Sequence, residues 1–312
     1  MSAFPISVVV FPGSQNLPLY MGIRRGFFRC RGIDVQLSFA VTSLQLRDGL
    51  ANGKYSLAHT AVDNAVAMRL VAGHDVVVVM GGDSGMNELF VQPDITAMEA
   101  LRGRRLLVDA PDTAYALQAK SMLRAVGLIA GVDYEVVPVG ATYKRLSAML
   151  EQPAGCAAAI LNPPFSVEAR DKGLRSLGRA TDHLGPYQAT AAFAMRPWIS
   201  KHEEILVQYL SAYVEALRYV LDKQNAAESI EILMQELRLS DSVAARTYQL
   251  LTSPGIGLDQ DAHLNAQGLE NVLEIRSQCE GLVTTTAAPS NDYINLTYHA
   301  LALASLITSE KP

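Results

Sequence analysis

Residues 99–127 read EALRGRRLLVDAPDTAYALQAKSMLRAVG, and this stretch decides the fold. A short apolar strand, Leu106–Val108, runs into a polar turn made of Asp109, Pro111, Asp112 and Thr113. The turn opens directly onto a helix whose apolar positions are Ala114, Leu117, Ala119 and Leu123, and Gly127 ends it. Asp112 or Thr113 is the expected N-cap, because the first turn of a helix leaves N–H groups without intrahelical partners. Those donors and the helix dipole suit an anionic or carbonyl-bearing ligand. An ordinary βα loop, whose cap bonds only its own helix, reads the same way locally. The order of elements on either side separates the two.

Upstream, Ile6–Phe11 is a β-branched strand ended by Pro12-Gly13, and a helix follows from about 17 to 28. Residues 33–38 alternate as a second strand, 43–51 form a helix, and 55–59 a third strand ending at His59. Residues 61–71 are helical, and Val76–Met80 is a five-residue apolar run suited to a central parallel strand. After Pro93-Asp94 the same alternation restarts: strand 106–108, helix 113–126, strand 134–139, helix 143–150, strand 157–161, helix 165–172. The apolar stretch 187–195 then returns the chain to the first unit. From Pro197 onward the pattern is helical, over 203–223, 226–237, 241–252, 261–279 and 293–307. The stripe on 203–223, including Tyr209 and Tyr213, reads as core packing. The fold class is therefore α/β: two units, each a mainly parallel sheet flanked by helices, with a helical C-terminal region.

Composition narrows the function classes. With 26 basic against 31 acidic residues the net charge is −5, and no basic stripe occurs, which argues against nucleic acid as a partner. Cys30, Cys156 and Cys279 and the six scattered histidines form no metal-binding spacing, so neither a metal nor a cofactor is expected. No apolar run is long enough to cross a bilayer. The first residues have no basic n-region and only a strand-length apolar run, so they are not expected to be a signal peptide. The expected location is cytoplasmic if Met1 is the native start, and periplasmic if the sequence is a mature form.

Four segments carry a resemblance to the nitrate/sulfonate/taurine-type solute-binding proteins of ABC transporters and to the related thiamine-pyrimidine synthases. Leu17-Pro18-Leu19-Tyr20, Gly26-Phe27-Phe28 and Gly32-Ile33-Asp34-Val35 are similar to that family's opening. Asn52–Leu57 resembles its "G-x-x-D-x-G" segment with Ser56 in place of the acid, and Leu101–Leu106 its "L-K-G-K-K-I". Residues 157–164 (AAAILNPP) resemble its "D-A-x…P" strand end, again without the acid. The resemblance implies a type II periplasmic-binding-protein fold, with residues 1–90 plus 191–312 as a discontinuous lobe, 91–190 as the other, and a ligand cleft at the carboxyl ends of the strands.

On that fold the expected ligand contacts are Phe11, Gly13 and Ser14 after the first strand, and His59 and Thr60 at the end of the third. Asp112, Thr113, Ala114 and Tyr115 join them from the central turn, and Asn162 and Pro163 from the strand at 157–161. Each has a plain structural alternative: Gly13 as a tight turn, His59 as a hydrogen-bonded core histidine, Tyr115 as packing, Pro163 as a strand stop. No arginine lies in these loops, which weakens a strongly anionic sulfonate. Phe11, Tyr115 and His59 suit a small aromatic or heterocycle. The expected function is capture of a small organic or anionic molecule (a sulfonate, aromatic carboxylate or pyrimidine-like compound) by hinge closure, with an ABC-transporter permease as partner. The alternative is a cytoplasmic decarboxylase or hydrolase of a small aromatic or heterocyclic acid on the same fold, using His59 with Asp63 as an acid–base pair.

Overall fold

A computed structural model describes residues 3–280 and 292–309. Residues 281–291 and 310–312, inside the span 191–312 assigned above to one lobe, lie outside the described residues. Two compact units emerge. Unit 1 draws on Met1–Asp83, Gln188–Asn265 and Thr286–Pro312, and unit 2 on Ser84–Tyr187 and Ala266–Thr285.

The chain begins in unit 1 with β1 (Phe4–Val10), α1 (Leu17–Arg25), α2 (Phe27–Cys30), β2 (Ile33–Phe39), α3 (Ser43–Ala51), β3 (Leu57–Ala61), α4 (Val62–Val66) and β4 (Val76–Met80). The single helix expected over 17–28 is broken at Gly26, whose left-handed backbone (φ 77°) closes α1 and starts α2. Helix α4 runs on as a π-helical turn over Ala67–Val71. Strand β3 extends to Ala61, two residues past the expected end, so His59 and Thr60 lie within it.

Unit 2 holds β5 (Glu88–Val91), β6 (Arg105–Val108), α5 (Ala114–Ala125), β7 (Glu135–Pro138), α6 (Thr142–Glu151), β8 (Ala158–Leu161), α7 (Phe165–Asp171), β9 (Arg175–Arg179) and α8 (Ala180–Leu184). The sequence reading missed β9 and α8, because Arg175–Arg179 offers only Leu177 as a large apolar side chain. The chain returns through β10 (Thr190–Met195) to α9 (Arg196–Ile199), α10 (Glu203–Leu221), α11 (Ala226–Leu237) and α12 (Asp241–Leu251). Helix α13 (Ala266–Glu280) belongs to unit 2 and α14 (Thr297–Ser309) to unit 1.

Each sheet has five strands, in the orders β2-β1-β3-β10-β4 and β7-β6-β8-β5-β9. The first three strands of each are parallel, and the fourth, β10 or β5, runs antiparallel to both its neighbours. This corrects one expectation: Val76–Met80 is an outer strand paired with antiparallel β10, not a central parallel strand. Its side chains are nevertheless buried, because the segment before α14 covers its free edge. Val78 N donates to Tyr293 O (2.8 Å) and Asn295 N donates to Val78 O (2.9 Å). A covered edge permits the same all-apolar run as a central position.

Unit 2 shows why its strands read as apolar throughout. Leu106, Val108, Ala158, Ile160, Leu89 and Val91 pack on one face with Ala116, Ala119 and Leu123 of α5. Leu107, Ala159, Leu161 and Phe90 pack on the other with Leu146 and Met149 of α6. Both faces are covered, so neither alternate set can be polar. In unit 1, α10 buries Leu206, Tyr209, Leu210, Tyr213, Leu217 and Val220, the stripe its 3.6-residue period announces.

Candidate functional site

In unit 1, the β1–α1 loop, the middle of β3, the Gly81-Gly82 turn after β4, the start of β10 and one face of α10 converge on a small niche. Gln15, Asn16, Leu19, His59, Gly81, Gly82, Thr190, Ala191 and Tyr213 line it, and it encloses about 10 Å3, the space of a single small polar group or one water. His59 is the sequence-predicted residue that lines it. The side chain is 8% exposed, with its ring centroid 4.6 Å from Tyr213 and 5.6 Å, edge-on, from Tyr209. Nε2 is buried with no hydrogen-bond partner among the described residues, so this is not a hydrogen-bonded core histidine. Burial pushes its pKa down to about 3, which holds the imidazole neutral. Burial likewise raises the pKa of both tyrosines, with the charge of Asp83 adding to the effect at Tyr213.

The β1–α1 loop reaches the niche through residues that the sequence reading passed over. Asn16 Nδ2 donates to Phe11 O (2.7 Å), folding the loop back on β1, and Ser14 is fully buried at the start of a short 3-10 turn. Gly13 is extended (φ 170°), so no left-handed turn requires a glycine there. A Cβ there would stand 2.2 Å from Gln15 Oε1, the end of a side chain that can turn aside and an atom buried with no partner among the described residues.

At another part of the niche lining, Thr190 Oγ1 donates to the Asp83 carboxylate and accepts from Asp83 N (3.1 Å). Gly81 and Gly82 sit hard against their surroundings: Gly81 N donates to Ala262 O (2.9 Å), and a Cβ on Gly81 would lie 2.1 Å from His263 O. The neighbour is backbone and cannot rotate away. Gly81→Ala should therefore cost about 1–3 kcal/mol, read as a lower urea midpoint with an unchanged slope. An unaltered midpoint would show that the 259–264 loop moves freely.

Unit 2 gathers a second set of predicted residues at the ends of β6 and β8. Thr113 is the N-cap residue of α5 by position, but its hydroxyl makes no capping bond. It turns back to the loop, donating to Asp109 Oδ1 and within reach of Ala110 O (2.9 Å). Asp112 O accepts from Arg276 Nη2 (2.9 Å), Ala114 is buried, and Asn162 Oδ1 after β8 is buried without a partner among the described residues. Pro163 follows it into the turn before α7.

No arginine lies within these loops, but one reaches them from a neighbouring helix. Arg145 of α6, 1% exposed, donates to Gly140 O (2.7 Å), Thr142 Oγ1 (3.1 Å) and Ile160 O (3.2 Å). It lies 3.9 Å from Asp109 and 5.3 Å over the Tyr115 ring. Burial lowers its pKa, and the Asp109 carboxylate opposes that shift. Sequence reasoning missed it because a helix residue more than 30 positions from the turn carries no local mark of where it points. Arg276, reaching Asp112 from α13, was missed for the same reason.

The alternative pair His59 and Asp63 is not assembled as a base and its orienter, since His59 Nε2 has no partner among the described residues. Asp63 is buried in the first turn of α4. Among the described residues no group of three or more His, Cys, Asp or Glu side chains could hold a metal, and no helix is long and apolar enough to cross a membrane.

Known structures share this architecture at low identity. A Bordetella bronchiseptica protein superposes with a TM-score of 0.82 at 17% identity, covering 97% of this chain and 98% of the other. The periplasmic nitrate-binding protein NrtA from Synechocystis PCC 6803 gives 0.81 at 12% identity, covering 99% and 90%. The periplasmic aliphatic sulphonate binding protein SsuA from Escherichia coli gives 0.71 at 17% identity, covering 90% and 87%. The fold is that of the periplasmic binding proteins. No curated protein matches by sequence. The family model described as "NMT1/THI5 like" matches residues 14–227, more than two thirds of the chain, and the chain belongs to that family.

Proposed function

We propose that the protein is a solute-binding protein that captures a small organic or anionic molecule and delivers it to an ABC importer. The observation that carries the reading is the strand-end niche of unit 1. It combines buried, unpartnered hydrogen-bonding atoms with a neutral imidazole that has no general-base partner. Such a site recognises a ligand without a nucleophile–base pair to transform it. The periplasmic-binding-protein fold, shared with neighbours described as nitrate- and sulphonate-binding, supports it. In unit 1 the proposed contacts are Phe11, Gly13, Ser14, His59 and Thr60. In unit 2 they are Asp112, Thr113, Ala114, Tyr115, Asn162 and Pro163.

The test is a thermal-shift screen of sulfonates, aromatic carboxylates, nitrogen heterocycles and nitrate, with mass spectrometry of every hit. A true ligand at a hundredfold its Kd adds about 2.7 kcal/mol of stability and is recovered unchanged. Conversion of a hit into product would replace this reading with catalysis at His59.

A further inference from the structure

We propose that the outer edge of β2 is a self-association surface: the β2 strands of two copies pair antiparallel about a two-fold axis at Gln36 and join the two unit 1 sheets into one.

Sheet edges that stay solitary are short, charged, bulged or covered, because a free row of N–H and C=O groups accepts any further strand. Among the described residues, three of the four sheet edges are closed in these ways. The segment at Tyr293–Asn295 covers β4, and β7 has four residues and ends in Pro138. Strand β9 carries Arg175 and Arg179 at its ends and shifts register against β5. Strand β2 is the exception. It pairs with β1 over all seven of its residues without a shift, and no described residue pairs with its other side.

The ladder fixes which groups face outward. Gly32 O accepts from Phe4 N (2.7 Å) and Ala40 N donates to Val10 O (2.9 Å), so the even-numbered residues turn their backbone groups to β1. The N–H and C=O of Ile33, Val35, Leu37 and Phe39 therefore point away from the sheet. An antiparallel second copy centred on Gln36 sets Ile33 opposite Phe39 and Val35 opposite Leu37, so all four outward residues exchange both backbone bonds. Sliding one strand by two residues either way leaves an outward residue of each strand without a partner in the other.

The side chains agree with this register. The odd positions are all apolar and meet apolar residues, which continues the stripe across the axis onto Phe39, 48% exposed in the single copy. The even positions are polar and meet polar residues. Gln36 faces its own copy, and the carboxylate of Asp34, the one charged residue of the strand, faces the hydroxyl of Ser38 and not a second carboxylate. Asp34 also has Arg29 of its own copy at 3.6 Å, so the seam gathers no uncompensated charge. These even positions are the non-hydrogen-bonded ones, where opposed side chains approach most closely.

The experiment is sedimentation velocity of the full chain over a concentration series, repeated on variants whose effects depend on this pairing. The wild type should pass from monomer to dimer with a Kd of about 10 µM or tighter. Val35→Pro removes an outward N–H and no bond to β1, and should weaken the dimer about tenfold or more while the monomer stays folded by circular dichroism. Ser38→Asp sets carboxylate against carboxylate at two symmetric places and should also weaken it about tenfold or more. Adding Asp34→Ser to Ser38→Asp again sets carboxylate against hydroxyl, and should return the Kd to within about threefold of wild type. That rescue requires strands paired in this register, and it keeps the test sharp if Val35→Pro fails to fold. A wild type still monomeric at about 100 µM, or one that aggregates without a dimer stage, overturns the proposal. So does a dimer that is indifferent to Ser38→Asp or is not restored by the double substitution.

Discussion

Replacing Arg145 with methionine should destabilise the protein by about 3–5 kcal/mol, the cost of removing one partner from a buried charged network. The guanidinium ties the turn at Gly140 and the start of α6 at Thr142, both close to it in sequence, to the end of β8 at Ile160. Methionine fills much of the same volume, so the loss reports hydrogen bonds and charge rather than a cavity. Gly140 O and Ile160 O would lose a buried donor, and the Asp109 carboxylate its nearby cation. Lysine should rescue only part of the loss, because one ammonium cannot reproduce a planar fork serving three acceptors. Chemical denaturation of the wild type, Arg145→Met and Arg145→Lys decides the matter. A methionine variant within 1 kcal/mol of wild type would show that water replaces the guanidinium at these acceptors.

Acidification from pH 6.5 to 5 should weaken the protein through His59, by about 1.4 kcal/mol per pH unit at full slope and about 1–2 kcal/mol across the window. The sign follows from its depressed pKa. Unfolded, the imidazole takes up a proton near pH 6.5; folded, burial holds it neutral down to about 3. Between those values the unfolded state binds more protons, so stability rises with pH and falls on acidification. Well above pH 6.5 neither state is protonated and the contribution is flat. His299, also depressed by burial, adds in the same direction. Urea unfolding at several pH values, compared with His59→Gln, isolates the effect. The variant should show a shallower slope in this window whatever its absolute stability. Equal slopes would mean that the imidazole is protonated in the folded protein.

The fold was legible in the sequence wherever a local pattern had one structural meaning. The β-branched run Ile6–Val10, the alternation at 33–38, the restart after Pro93 and the long stripe of α10 each specify an element, because their burial demands one period. The match between 43–51 and α3, and between 226–237 and α11, has the same origin. Strand position was not legible. Val76–Met80 has the composition of a central strand, yet becomes an outer one because β10 inserts beside it and the segment at Tyr293–Asn295 covers the other edge. A run of valines records that it is buried, and not what buries it.

The candidate site divides along the same line. The sequence by itself determined the alternating strands and helices, the strand-end loops, the turn at Asp109–Thr113 and the presence of His59 in the third strand, though not that the strand runs on past it. Each rests on interactions within a few residues. Only the tertiary structure decided that His59 lies against Tyr209 and Tyr213 of α10, that Gln15 and Thr190 share its niche, and that Arg145 and Arg276 reach the β6–α5 turn from helices far along the chain. It also set α13 on unit 2, although the order of elements groups it with the C-terminal helices of unit 1. These are contacts between segments separated by dozens to hundreds of residues, and hydrophobic periodicity marks a face to be buried without naming the partner that buries it.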